Sequence, residues 1–305
     1  MSLQKGKPQS GGGEYSGVVK KNEEELRLIP YDQLVDAVEN LVIETSYVLP
    51  GDVIEALRKA RRGESGEPAR SILDQIIENA AIAEEERLPL CQDTGVAVFF
   101  ADLGRDAAVD GNGLDDAIQE GTRRGYRGGG LRMSMVSDPV GRVNTGDNTP
   151  AIIHCRQVPG DRLRLWFCPK GGGCENMSRL GMLSPTSGAG GIRNFVLETV
   201  RLAGGRPCPP LILGIGIGGD FEYAALLSKR ALLRTMGERH PVSQYADLER
   251  DLVERVNRLG IGPMGLGGNT TVLDVFIETF PCHIASLPVA VNIQCHSARH
   301  GMVEL

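Results

Sequence analysis

The chain has 305 residues, 33 Lys and Arg against 39 Asp and Glu for a formal net charge of −6, and 41% hydrophobic residues. That is the composition of an aqueous globular protein long enough to bury a substantial core in one large or two moderate domains. The mild acidity leaves no basic footprint, which argues against nucleic acid or an anionic membrane as the main partner. The longest apolar runs, near Pro209–Gly219 and Ile284–Cys295, fall short of the roughly 18–20 residues that span a bilayer.

Glycine contributes 40 residues while aromatics make up only 5%, a balance suited to tight turns and close backbone approach. The expected class is mixed α/β, with a helical N-terminal region followed by a mixed sheet with flanking helices. Residues 1–28, rich in Gly, Ser and Lys/Glu, are expected to form a disordered or loosely ordered tail, and 29–305 one domain. The N-terminus has no apolar stretch of the secretory kind. A cytoplasmic location is therefore expected.

Asp32 is placed to cap a helix whose apolar residues Leu34, Val35, Val38, Leu41 and Val42 fall at helical spacing. Asp52 opens a second helix through Arg62, and Pro68 or Ser71 a third carrying Ile72, Ile76, Ile77, Ala80 and Ala83. Val96–Ala101 reads as a strand and Asp115–Gly125 as a helix. Ala151–Val158 and Leu163–Cys168 read as two strands joined by the turn Pro159-Gly160-Asp161. Helices follow at Gly191–Ala203, Phe221–Met236 and Tyr245–Leu259, the last capped by Gly260. Strands are expected at Leu211–Ile217, Thr271–Glu278 and Val289–Cys295.

Gly214-Ile-Gly216-Ile-Gly218-Gly219 satisfies G-x-G-x-x-G between a strand and a helix, the basis of a nucleotide-dependent oxidoreductase alternative. Its context is poor. Asp220 would face a pyrophosphate with negative charge, and the nearest suitably spaced acid, Glu238, lies past the helix rather than on a second strand. Lys170-Gly171-Gly172-Gly173-Cys174 lacks the order of a phosphate-binding P-loop. Its glycines let a ligand carboxylate approach backbone N–H groups, and Lys170 adds charge.

The seven cysteines form no C-x-x-C pair, which disfavours structural zinc. Cys155 and Cys168 fall within strands, whereas Cys91, Cys208 and Cys295 stand at the edges of turns. By spacing alone, these three are either isolated thiols of a non-catalytic scaffold or ligands meeting at one iron–sulfur cluster. His283 stands alone before the last strand. No hydrolase, zinc-protease or EF-hand pattern is present.

Six segments appear in order: CQDTG (91–95), RVNTGDNTPA (142–151), KGGGCENMS (170–178), PCPPLILGIGIGG (207–219), GIGPMGLGGNTT (260–271) and PCHIASLPVAVNIQCHSARH (281–300). Together they resemble the α subunit, equivalently the N-terminal half, of class I iron–sulfur fumarases and L(+)-tartrate dehydratases, over roughly residues 30–305. The resemblance implies a 4Fe-4S cluster on Cys91, Cys208 and Cys295, with one iron left open for substrate. It assigns Asp93 and His283 to catalysis and Gln92, Arg132 and Gly173 to binding a small dicarboxylate, alongside Lys170 in the glycine turn. Cys174 departs from the serine of many fumarase-type members.

The implied activity is a hydro-lyase, reversible hydration of fumarate to L-malate as in the tricarboxylic acid cycle. The alternative is the α subunit of an L(+)-tartrate dehydratase. The catalytic base and further cationic contacts are expected from a separate β subunit, in a heterotetramer of two α and two β chains.

Overall fold

The computed structural model describes residues 26–305. The loose tail expected over 1–28 lies outside the described residues up to position 25. Arg27–Ile29 (β1) already forms a strand, paired in parallel with Ala107–Val109 (β3).

Three helices follow: Tyr31–Tyr47 (α1), Gly51–Gly63 (α2) and Glu67–Glu85 (α3). The stripe on α1 is buried as its spacing requires, with Leu34, Val35, Val38 and Val42 each at 0% exposure. Pro30 rather than Asp32 occupies the N-cap, and Asp32 sits in the first turn, where its charge complements the helix dipole. Among the described residues no helix is long and apolar enough to cross a membrane.

Val96–Gly104 (β2), Ile152–Val158 (β4), Leu163–Lys170 (β5) and Gly301–Glu304 (β10) make the first four-stranded sheet, in the order β10-β5-β2-β4. The two strands joined by the Pro159-Gly160-Asp161 turn are both present but do not pair with each other. β2 lies between them, parallel to β4 and antiparallel to β5. The end of β2 takes up the turn's backbone groups: Gly104 N–H donates to Arg162 O at 2.8 Å and Asp106 N–H to Gly160 O at 2.9 Å. Alternation divides the two faces of this sheet. Ala97, Phe99 and Ala101 of β2 pack with Leu163, Leu165 and Phe167 of β5 against α1 and Gly113–Gly128 (α4).

The second sheet has the order β6-β9-β7-β8, formed by Arg179–Leu183 (β6), Leu287–Gln294 (β9), Leu211–Gly219 (β7) and Val272–Cys282 (β8). One face, carrying Leu211, Leu213, Ile215 and Ile217, packs on Gly188–Ala203 (α6) and Ser243–Asn257 (α8). The opposite face meets Phe221–Ala231 (α7) and, beyond it, α2 and α3 through Ile212, Phe276, Leu57 and Leu73.

The glycines of the G-x-G-x-x-G segment are explained by this packing. A Cβ on Gly214 would lie 2.0 Å from Ser228 O, and one on Gly216 2.0 Å from Ala224 O. The alternating glycines let α7 lie directly on β7. From there α7 reaches the first sheet, where Arg230 meets Asp102 at 3.5 Å. The fold is mixed α/β, as expected.

Candidate functional site

Four loops converge where the two sheets meet. The loop 88–95 enters β2, and β5 runs out into the glycine turn, which contains the short helix Gly172–Glu175 (α5). The loop 204–210 enters β7, and β9 runs out at Cys295. Since β2 is antiparallel to β5 and β7 to β9, all four loops lie at corresponding strand ends.

Hydrogen bonds between backbone and side chains tie the loops together. His296 Nδ1 lies 2.9 Å from Cys208 O, and Arg299 Nη2 donates to Asp93 O at 2.6 Å. The segment after β9 therefore holds both other cysteine loops. Gly173 N–H makes a long 3.3 Å contact with Asp93 Oδ2, and Cys174 Sγ lies 3.7 Å from Pro207 O. Thr94 donates its hydroxyl to Arg132 O, and Asn148 Nδ2 donates to Gly95 O at 3.1 Å, which brings in the 142–151 motif. Gly95 has φ +73°, and a Cβ there would lie 2.6 Å from the Lys170 backbone, so only glycine fits. Met264 N–H donates to Pro209 O at 2.7 Å, through which the 260–271 motif buttresses the Cys208 loop.

The three turn-edge thiols are neighbours. Burial raises the pKa of Cys208, and the nearby Cys295, Cys91 and Asp93 raise it further. The neighbouring Cys295 thiol, with burial, pushes the Cys174 thiol up, while Cys174, His296 and Arg299 pull Cys295 down. Cys91, Cys208 and Cys295 are each half-buried. Beside them Gln92, Arg132, Gly172 and Gly173 are exposed. The arrangement is a cluster of soft donors at the floor of a surface that a small polar ligand can reach.

Two candidates lie elsewhere. Lys170 is 1% exposed, and its ammonium donates to Ile293 O at 2.6 Å and pairs with Glu175 at 3.3 Å. Its charge joins the two sheets and does not face the exposed turn. His283 is not brought to the thiols within this chain. It lies in the loop 283–286 that crosses from β8 to β9 on the far side of β7, beside a cavity of about 560 Å³ lined by Gly219, Tyr223 and Phe280. The eight residues of β9 separate that loop from Cys295 by roughly 25 Å at 3.3 Å per residue. Sequence reasoning missed Arg299, His296, Thr94 and Asn148. Their only signal was membership of the motifs.

No three His, Cys, Asp or Glu side chains among the described residues close around one point as a single metal ion requires. A cubic iron–sulfur cluster presents its irons at separate corners, so its thiolates stand apart rather than around one centre. The donor set fits such a group: three thiols on three loops, with Cys155 exposed and Cys168 buried away from them. Arg299 adds a second indication, because its buried Nε and Nη1 have no partner among the described residues.

Comparison with known proteins places these residues in context. Residues 35–304 match the family described as fumarate hydratase (Fumerase). A protein of Methanocaldococcus jannaschii named "Putative L(+)-tartrate dehydratase subunit alpha" is 45% identical over 276 residues, 88% of this chain and 96% of that relative. An Escherichia coli protein named L(+)-tartrate dehydratase subunit alpha is 34% identical over 281 residues, 90% of this chain and 91% of that relative. A Shigella boydii protein of the same name is 34% identical over 277 residues, 88% of this chain and 90% of that relative.

Proposed function

The chain belongs to the fumarate hydratase family, and from that premise we propose that it is the α subunit of an iron–sulfur hydro-lyase that interconverts fumarate and L-malate. The observation that carries this reading is the double tie made by the segment after β9, His296 to the Cys208 carbonyl and Arg299 to the Asp93 carbonyl. These bonds hold the Cys91, Cys208 and Cys295 loops together. The names of the relatives favour a second substrate, L(+)-tartrate, for the same site. They also support a separate β subunit, which in this reading supplies the base and further cations and completes an assembly of two α and two β chains. Seven free cysteines suit a reducing compartment, the cytoplasm.

In this reading Cys91, Cys208 and Cys295 hold a 4Fe-4S cluster. When bound, the cluster supplies a Lewis-acidic iron that weakens the C–O bond to a poor leaving group. The chain's own residues position the substrate. Arg132 and Gln92, exposed beside Cys91, orient a dianion by charge and hydrogen bonding. Gly173, whose N–H makes only the long contact with Asp93, stays open to a carboxylate. Asp93 is fixed through its carbonyl by Arg299, and it takes part in proton transfer at the departing hydroxyl. Lys170 braces the turn from below.

The test is anaerobic. The chain is co-expressed with its candidate β subunit and supplied with iron and sulfide, then fumarate formation from L-malate and oxaloacetate formation from L-tartrate are followed. Iron-dependent fumarate formation is expected. Turnover of tartrate alone would change the substrate and keep the site. No turnover and no retained iron would overturn the cluster.

A further inference from the structure

We propose that Arg299 is a positioning residue for the iron–sulfur group, its two unpaired nitrogens serving the anionic thiolates and sulfides of the bound cluster while the third holds the Asp93 loop. The proposal rests on Cys91, Cys208 and Cys295 being the ligands.

Arg299 is 2% exposed and heads the fully buried side chains by volume. Among the described residues its guanidinium makes one hydrogen bond, from Nη2 to Asp93 O at 2.6 Å. Nε and Nη1 are buried without an acceptor among the described residues. Native proteins rarely leave a buried charge unpaired, because desolvation is then uncompensated and the remaining donors are wasted. Such a group marks a place where an anion belongs.

The surroundings narrow the choice of anion. Titratable groups that feel the charge of Arg299 include Cys295, on its own segment, Cys168 of β5 and Tyr126 of α4. Tyr126 already donates its proton to Thr94 O at 2.8 Å, and Asp93 offers Arg299 only its carbonyl. Cys168 is fully buried, and burial holds its thiol protonated. A substrate carboxylate arrives over exposed Gln92 and Gly173, while Arg299 lies beneath the Asp93 loop. Sulfur at the Cys295 side remains. A thiolate-ligated cluster accepts N–H···S hydrogen bonds, and such bonds together with a nearby cation stabilise the electron added on reduction.

The full-length chain, co-expressed with its β partner and purified anaerobically, is compared with Arg299→Met and Arg299→Lys by iron and sulfide content, by a reductive titration read by electron paramagnetic resonance, and by thermal unfolding of the cluster-free proteins. Arg299→Met is expected to shift the reduction equilibrium about tenfold or more toward the oxidised form, the scale of one charge-assisted hydrogen bond. Arg299→Lys, which keeps the charge and loses the fork, is expected to shift it less in the same direction. Cluster-free Arg299→Met should unfold no earlier than the cluster-free parent, since an unpaired buried charge has been removed. An unmoved midpoint in the folded variants, or early unfolding of cluster-free Arg299→Met with an unmoved midpoint, overturns the role of Arg299 and leaves the ligands standing. If Arg299→Met folds yet retains no iron, Arg299→Lys supplies the midpoint. A parent protein that takes up no iron and sulfide overturns the ligand assignment and this proposal together.

Discussion

His296 Nδ1 lies 2.9 Å from the carbonyl oxygen of Cys208, so a residue adjacent to one turn-edge cysteine fixes the backbone of another. The contact acts where the chain is strained. Cys208 has φ +54°, a left-handed conformation that a non-glycine residue adopts at a cost. Its loop is held from several sides: His296 from the segment after β9, Met264 N–H on Pro209 O, and Gly265 against Gly205, where a Cβ on Gly265 would lie 2.6 Å from the Gly205 Cα. A left-handed cysteine held this firmly presents its thiol in one direction.

If the three turn-edge thiols are ligands, Cys91→Ser, Cys208→Ser and Cys295→Ser each abolish retention of iron and sulfide after anaerobic reconstitution. Cys155→Ser, at an exposed position on β4, leaves the content unchanged. The measurement is iron and acid-labile sulfide per chain. A full complement in any of the first three variants removes that residue from the ligand set.

Asp93 is held at two points, its carbonyl by Arg299 and one carboxylate oxygen by Gly173 N–H. Asp93→Asn preserves the shape and the carbonyl contact while removing the charge and the proton-accepting capacity. The expected result is a chain that retains iron but turns over about 10²–10⁴ times more slowly, the usual contribution of a positioned acid–base group. The value of kcat should fall more than KM rises. An unchanged kcat would leave Asp93 as a brace for the glycine turn.

The elements that bury one face were legible in the sequence, because burial imposes a period. The stripe on α1 is a direct consequence of it, whereas β2, buried on both faces, was legible as a continuous apolar run. The short strands β1, β3, β6 and β10, of three to five residues, are too brief for any period to register. Partnership was hidden for a different reason. The 159–161 turn advertises a hairpin locally, and nothing local records that β2 enters between its arms. The thiols could be found because motifs carry residue types. Arg299 and His296 could not, because each acts on the backbone carbonyl of a distant loop, which leaves no trace in the partner's side chain. His283 stands away from Cys295 within this chain because the twelve positions between them contain the strand β9.

Gly216 tests the packing account of the glycine motif. A Cβ there would lie 2.0 Å from Ala224 O and 2.7 Å from Ser228 N, both backbone atoms of α7 that cannot rotate away. Gly216→Ala should therefore lift α7 off β7 and cost about 1–3 kcal/mol or more, as overpacking does, seen as a lower urea midpoint. Gly51→Ala, at a helix start where a Cβ meets nothing within 4 Å, should stay within about 0.5 kcal/mol of the parent. Equal stabilities would return the glycines to a ligand-binding role.

Asp102 gives the pH dependence a definite sign. It is 7% exposed on β2, with Arg156 Nη2 donating to its carboxylate at 2.6 Å and Arg230 at 3.5 Å. Burial pushes its pKa up, but the two guanidinium groups outweigh burial and hold it below the usual carboxylate value. A folded pKa below the unfolded one means that the unfolded chain takes up its proton first as the solution is acidified. The stabilisation is therefore complete above the unfolded value of about 4 and is lost as pH falls through the folded one. Asp102→Asn should lower stability at neutral pH by about 1–3 kcal/mol, the range for hydrogen bonds to charged groups. The gap between parent and variant should stay constant from neutral pH down to about pH 5 and close at lower pH. Urea midpoints measured from pH 7 to pH 3 check this, and a gap that widened on acidification would mean that Asp102 is held above its ordinary value, with burial outweighing the arginines.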